Sequence, residues 1–88
     1  MLLKNQICLI TGASKGIGKS ICLTFAEHGA RVILTGRNLE SLETVSKDLP
    51  NQHLNHLCLE MDVQNMEHIE EVFSRLNREK VFIKYILF

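Results

Sequence analysis

The chain has 88 residues, 45% of them hydrophobic and 23% charged, with ten basic side chains against ten acidic ones. That length holds one small domain, the composition is that of a folded chain rather than a disordered one, and the balanced charge offers no basic surface for a nucleic acid. The longest apolar runs are about four residues against the roughly 20 that span a bilayer, and the start Met-Leu-Leu-Lys-Asn-Gln lacks the layout of a secretory signal, so no membrane partner and an intracellular, cytoplasmic location are expected.

Cys8, Cys22 and Cys58 all lie within apolar runs. An odd number with no Cys-x-x-Cys spacing argues against a disulfide framework or a zinc site, and for buried free thiols in a reducing compartment. His28, His53, His56 and His68 have no metal-site spacing and read as ordinary surface or interfacial residues.

Taken in chain order, Gln6 to Thr11 predicts a strand bounded by Gly12. From Gly16 to His28 the residues Ile17, Ile21 and Phe25 recur every four positions, which predicts a helix buried on that face and stopped by Gly29. Arg31 to Thr35, containing Val32-Ile33-Leu34, predicts a short buried strand. Asn38 is placed to cap a second helix with Glu40 in its first turn. Leu39, Leu42, Val45 and Leu49 supply its buried stripe, and Pro50-Asn51 ends it. His56 to Met61 predicts a third strand. Asn65 caps a third helix, in which Ile69, Val72, Phe73 and Leu76 form one apolar face. Val81 to Phe88, interrupted by Lys84, predicts a fourth strand. This alternation predicts an α/β fold: a Rossmann-type half of four parallel strands in the order 3-2-1-4, with three crossover helices. The first two helices lie on one face and the third on the other.

The segment Thr11 to Gly18 reads Thr-Gly-Ala-Ser-Lys-Gly-Ile-Gly and follows directly on Ile7-Cys8-Leu9-Ile10. Glycines at such a strand-to-helix turn let a ligand approach the backbone, and the free N–H groups and positive dipole end of the helix bind phosphate. Two patterns fit. One is a dinucleotide-binding turn with glycines at 12, 16 and 18. The other is a P-loop over Ala13 to Ser20, with Ala in place of its first glycine, Lys19 for the phosphates, Ser20 for Mg²⁺ and Asp62 as a distant acidic partner.

Context favours the first pattern. Thr-Gly-x-x-x-Gly-x-Gly immediately after the first strand resembles the cofactor loop of the short-chain dehydrogenase/reductase family, nearest to its 3-oxoacyl-carrier-protein reductase and carbonyl reductase members. The resemblance runs over residues 4–79. Leu34-Thr35-Gly36-Arg37-Asn38 lies where that family meets the adenosine ribose, and Asp62-Val63 ends the third strand where its members contact adenine. The resemblance implies that Thr11, Gly12, Ser14, Lys15, Gly16, Ile17, Gly18, Arg37, Asp62 and Val63 bind the cofactor.

Charge selects which cofactor. Folds that prefer NAD place Asp or Glu where it accepts hydrogen bonds from the ribose 2′-OH. Here Gly36 and Arg37 stand there instead, and Lys15 sits in the loop on the same side in the resembling enzymes. Two cations and no carboxylate favour NADP(H) over NAD(H), since Arg grips phosphate through two charge-assisted hydrogen bonds. The competing reading makes Lys15 and Arg37 solvated surface charges, and Asp62 a residue that ties down a turn.

The family's later Asn-Asn-Ala-Gly-type turn, its Ser and its Tyr-x-x-x-Lys are not matched. The only tyrosine, Tyr85, falls in the predicted fourth strand and reads as structural. Residues 1–88 are therefore expected to be a single truncated dinucleotide-binding domain without catalytic residues, its tail at 80–88 forming the fourth strand. Two functional readings stay open. One is the NADP(H)-binding portion of an oxidoreductase acting on a carbonyl or hydroxyl substrate, such as a 3-oxoacyl thioester. The other is a catalytically inactive nucleotide-binding or subunit-interaction module. An apolar fourth strand at a sheet edge is expected to favour self-association.

Overall fold

A computed structural model describes residues 2–88. The elements are β1 (Ile7–Ile10), α1 (Gly16–Glu27), β2 (Arg31–Gly36), α2 (Leu39–Lys47), a 3₁₀ turn at Gln52–Leu54, β3 (Leu57–Glu60), α3 (Met66–Arg78) and β4 (Tyr85–Leu87). The sheet order is β3-β2-β1-β4 and every pairing is parallel. Leu9 stands opposite both Ile33 and Ile86, and Leu34 opposite Cys58. The expected 3-2-1-4 order is the observed one.

Side chains alternate across a strand, and here the alternation divides the core in two. Cys8, Ile10, Val32 and Leu34 point to one face and pack with Cys22 and Ala26 of α1 and with Leu42 and Val45 of α2. Leu9 and Ile33 point to the other and pack with Val72 and Leu76 of α3. The central strands are apolar on both faces because both faces are covered. Each fully buried aliphatic chain among them contributes about 1.5–3 kcal/mol.

Three expectations need correction. The buried face of α1 is not the Ile17-Ile21-Phe25 row. Cys22 and Ala26 are fully buried, Ile21 and Phe25 are half-buried, and Ile17 is 80% exposed. The residues that meet the sheet are Cys22 and Ala26, spaced four apart; small side chains let the helix approach closely, and the larger ones flank the contact. Leu39, at the first position of α2, is 40% exposed, while Leu42, Val45 and Leu49 are buried as expected. The fourth strand is three residues long, not eight. After α3, Lys80 turns left-handed at φ 57, and the Val81 N–H donates to the Leu76 carbonyl at 2.9 Å. Val81 and Ile83 then pack against the α3-side core, so the chain joins β1 only from Lys84, whose N–H donates to the Ile7 carbonyl at 2.8 Å.

His56 does more than an ordinary surface residue. Its Nδ1 accepts the Val32 N–H at 3.0 Å and its Nε2 lies 3.0 Å from the Pro50 carbonyl. The ring extends the β2–β3 ladder and ties the connection between α2 and β3 to the sheet. Asn51 adds a bond to the Ala26 carbonyl at 2.8 Å.

Candidate functional site

Parallel strands end on the same side of the sheet, and ligands of such folds bind beyond those ends. Four chain segments meet there. Thr11 leaves β1 with its N–H and hydroxyl both donating to the Leu87 carbonyl, at 2.9 and 3.2 Å. The Ala13 N–H donates to the Thr35 carbonyl at 3.1 Å, and the Met61 N–H to the Gly36 carbonyl at 2.8 Å. The buried Thr35 hydroxyl donates to the Ile10 carbonyl at 2.9 Å. These bonds fix the rim, and no buried polar side-chain atom among the described residues lacks a partner.

The glycines of the loop divide into two kinds. Gly12 and Gly16 have φ of +61° and +52°, and a Cβ at either would meet nothing within 4 Å. Their backbone thus takes a conformation that other residues rarely adopt and faces open space, which leaves room for a ligand against the main chain. Gly18 is required for the opposite reason: a Cβ there would run into the Gly12 carbonyl. It lets α1 close onto the loop.

α1 begins with its N-terminus open. Lys15 holds the cap position in extended backbone without a side-chain cap, and no acidic residue stands in the first turn. The free N–H groups of this turn are the ones that hold anions in such loops.

Beside the loop lies a cleft of about 310 Å³ lined by Thr11, Gly12, Gly36, Arg37, Met61, Asp62, Val63, Gln64 and Phe88. Of the residues expected at the site, Thr11, Gly12, Arg37, Asp62 and Val63 converge on this cleft. Ser14, Lys15, Gly16, Ile17 and Gly18 do not line it; they continue from Gly12 into α1. Gly36, Met61, Gln64 and Phe88 were not anticipated. Gly36 and Met61 flank residues already singled out, whereas Phe88 arrives only because β4 runs beside β1. A larger hollow, about 750 Å³, is lined by residues of α3 alone; one helix face cannot enclose a ligand.

Asp62 fits both of its readings. Its Oδ1 accepts the Gln64 N–H at 2.9 Å, closing a tight turn. The same residue is only half-buried and faces the cleft. Its backbone N–H donates to Nδ1 of His68 at 3.2 Å, a contact that nothing in the spacing signalled.

The cysteines lie away from this rim chemistry. All three are free, Cys8 and Cys22 buried and Cys58 half-buried. Burial, reinforced by the neighbouring Cys58, pushes the Cys22 thiol up to about 12, so it carries almost no thiolate near neutrality. Among the described residues no group of three or more His, Cys, Asp and Glu is placed to hold a metal ion. No helix among them is long and apolar enough to cross a membrane.

A sequence model of the short chain dehydrogenase family matches residues 6–83. The chain belongs to that family. Of the P-loop positions, Ala13 is fully buried, and Lys19 and Ser20 are exposed on α1. The chain is 34% identical over 80 residues to dehydrogenase/reductase SDR family member 1 of Mus musculus, covering 89% of this chain and 25% of that one. It is 36% identical over 77 residues to the 3-oxoacyl-[acyl-carrier-protein] reductase of Bos taurus, covering 83% and 32%. A short chain dehydrogenase from Shigella flexneri 2a, complexed with NADP, superposes with a TM-score of 0.80 at 31% identity over 97% of this chain and 37% of that one. The chain thus spans a quarter to a third of the length of the curated relatives it matches.

Proposed function

We propose that this chain binds the adenosine and pyrophosphate parts of a nicotinamide dinucleotide, NADP(H) in preference to NAD(H). It would serve as the cofactor-binding portion of an oxidoreductase that acts on a carbonyl or hydroxyl substrate, a 3-oxoacyl thioester among the candidates. The observation that carries this reading is the open loop: Gly12 and Gly16 face empty space at positive φ beneath an uncapped helix. The pyrophosphate would lie on the N–H groups of Gly16 to Gly18, with Thr11, Ser14 and Ile17 shaping the loop. The adenine would lie against Asp62 and Val63 in the adjoining cleft, whose volume is at the small end of the range for ligand pockets, about 300–1,000 Å³, and suits the adenosine half. The NADP complex of the Shigella flexneri relative supports the choice of ligand.

Arg37 lines the cleft and is exposed, with no carboxylate among the other lining residues except Asp62. Arg37, with Lys15, would meet the 2′-phosphate. Glu40, the nearest acid in sequence, lies in the first turn of α2, where it complements the helix dipole. When bound, the nicotinamide supplies hydride chemistry; the residues of this chain hold the other end of the molecule. We assign it no catalytic residue. Tyr85 is on β4 and 46% exposed, and the chain alone is expected not to reduce a carbonyl compound.

Calorimetric titration of NADPH and NADH tests this. NADPH should bind more tightly. Arg37→Asp should weaken NADPH binding by about 1.5–3 kcal/mol, the worth of a charge-assisted hydrogen bond, and leave NADH nearly unchanged. Equal affinities that ignore the substitution would show Arg37 to be a solvated surface charge.

A specific observation also favours an interaction role. β4 is one of the two outer strands of the sheet, and Tyr85, Ile86 and Phe88 around it are 46%, 43% and 89% exposed. An exposed apolar edge is a template for another strand. We infer self-association through this edge. Light scattering over a concentration series should show growth that Ile86→Lys suppresses; a monodisperse monomer at every concentration would end the idea.

A further inference from the structure

In the far wall of the cleft, residues 61–64, one backbone group is held by an imidazole. The Asp62 N–H donates to Nδ1 of His68 at 3.2 Å. His68 is itself anchored at the start of α3, where its backbone N–H donates to Oδ1 of Asn65 at 3.1 Å. The Asn65 N–H in turn donates to the Asp62 carbonyl at 3.0 Å. The loop thus closes on itself, with His68 as the only side chain that holds the Asp62 N–H.

A ring nitrogen that accepts an N–H carries no proton, so this bond exists only with a neutral ring protonated on Nε2. Imidazole is the side chain that takes up its second proton between about pH 5 and 8. With Nδ1 protonated, two donors would face each other and the Asp62 N–H would lose its acceptor. The ring meets the backbone N–H of Asp62, and the titratable and charged groups that line a groove with His68 are Cys58 and Glu60 of β3 and Glu71 and Arg75 of α3, while α2 contributes the apolar Leu39. Arg75 is engaged by Glu79 at 2.8 Å. Only a ring unprotonated on Nδ1 can accept the Asp62 N–H.

We propose that His68 is a positioning residue that couples its protonation to nucleotide affinity, holding Asp62 and Val63 against the adenosine only while the ring is neutral. This rests on the cofactor reading above. The full chain is tested with NAD⁺, which lacks a 2′-phosphate that would itself titrate and survives mild acid. Affinity at pH 8 should exceed that at pH 5.5 by about two- to tenfold, the range expected for one hydrogen bond. His68→Asn places a non-titrating amide oxygen near the position of Nδ1. It should keep most of the affinity at pH 8 and remove the pH dependence. His68→Leu, with no acceptor, should bind weakly at both values. Without ligand, the Asp62 amide resonance should move in step with the His68 ring signals as pH falls.

An affinity that does not change between the two pH values, or the same acid loss in His68→Asn, would overturn the coupling while leaving the cofactor reading intact. An Asp62 amide that ignores the ring titration would overturn it without reference to any ligand. Absence of binding by both NAD⁺ and NADPH at pH 8 would instead overturn the cofactor reading, and the coupling with it.

Discussion

Two kinds of helix start coexist in this small domain. α2 and α3 are closed: Oδ1 of Asn38 accepts the Ser41 N–H and Oδ1 of Asn65 accepts the His68 N–H, both at 3.1 Å. Each has an acid in its first turn, Glu40 or Glu67, and a base in its last. α1 has none of these features: no side-chain cap, no acid in its first turn and no base in its last. In place of a cap it has glycines at 12 and 16 that leave the approach to its N–H groups open. Local stability has been given up at the one helix that follows the first strand. A helix end that is left unsatisfied in the protein is available to a ligand, and the two capped helices show that this fold can close its helices when nothing needs to bind there.

The comparison can be broken most severely at Gly18. A Cβ at this position runs into the Gly12 carbonyl, a backbone atom that cannot swing aside. Gly18→Ala should cost about 3 kcal/mol, at the upper end of overpacking effects and a large share of what a domain of this size has to lose. A thermal melt followed by circular dichroism should show a much lower midpoint or no cooperative transition. An unchanged melt would mean that the loop and α1 are not packed as described.

Lys15→Asp sharpens the comparison by converting the open start into a closed one. The backbone at this position is already extended, as a capping residue requires. The carboxylate should stabilise the fold by about 1 kcal/mol, the usual worth of a cap, and should weaken NADPH binding at least about tenfold through repulsion and loss of the cation. Stability and affinity moving in opposite directions is the expected signature. If both fell together, the start of α1 would not be a reserved anion site.

The smallest effect is expected at the closed starts. Asn38→Ala should cost about 1 kcal/mol in the same melt and leave the NADPH affinity of the folded protein unaltered, since α2 begins with a cap rather than a ligand. A large loss of affinity here would blur the distinction between the two kinds of helix.

Much of this was legible in the residues. Asn38 and Asn65 act as the caps their positions suggested, because capping depends on three or four neighbouring residues and little else. The alternation of short apolar strands with amphipathic helices identified a parallel sheet, because strands covered on both faces must be apolar throughout. The face of α1 was misread because periodicity marks where large apolar residues recur. This helix meets the sheet through Cys22 and Ala26, whose small size is the condition for contact. The length of β4 was misread because Val81 and Ile83 are apolar for the sake of the α3-side core, not of a strand ladder, and hydropathy does not distinguish the two.

By itself, then, the sequence determined the order and type of the elements, the helix caps and the family, all of which rest on residues close together in the chain. Only the tertiary structure decided which distant residues share a site. The 3-2-1-4 order sets the ends of β1, β2, β3 and β4 side by side, so that Gly12, Arg37, Asp62 and Phe88 line one cleft. The hydrogen bonds of His56 and His68 were likewise decided there. Each ring's acceptor nitrogen takes a backbone N–H, from Val32 and Asp62 respectively. The reason is that hydrogen bonding by an imidazole is fixed by what the fold brings within about 3 Å of it, and no spacing along the chain encodes that distance.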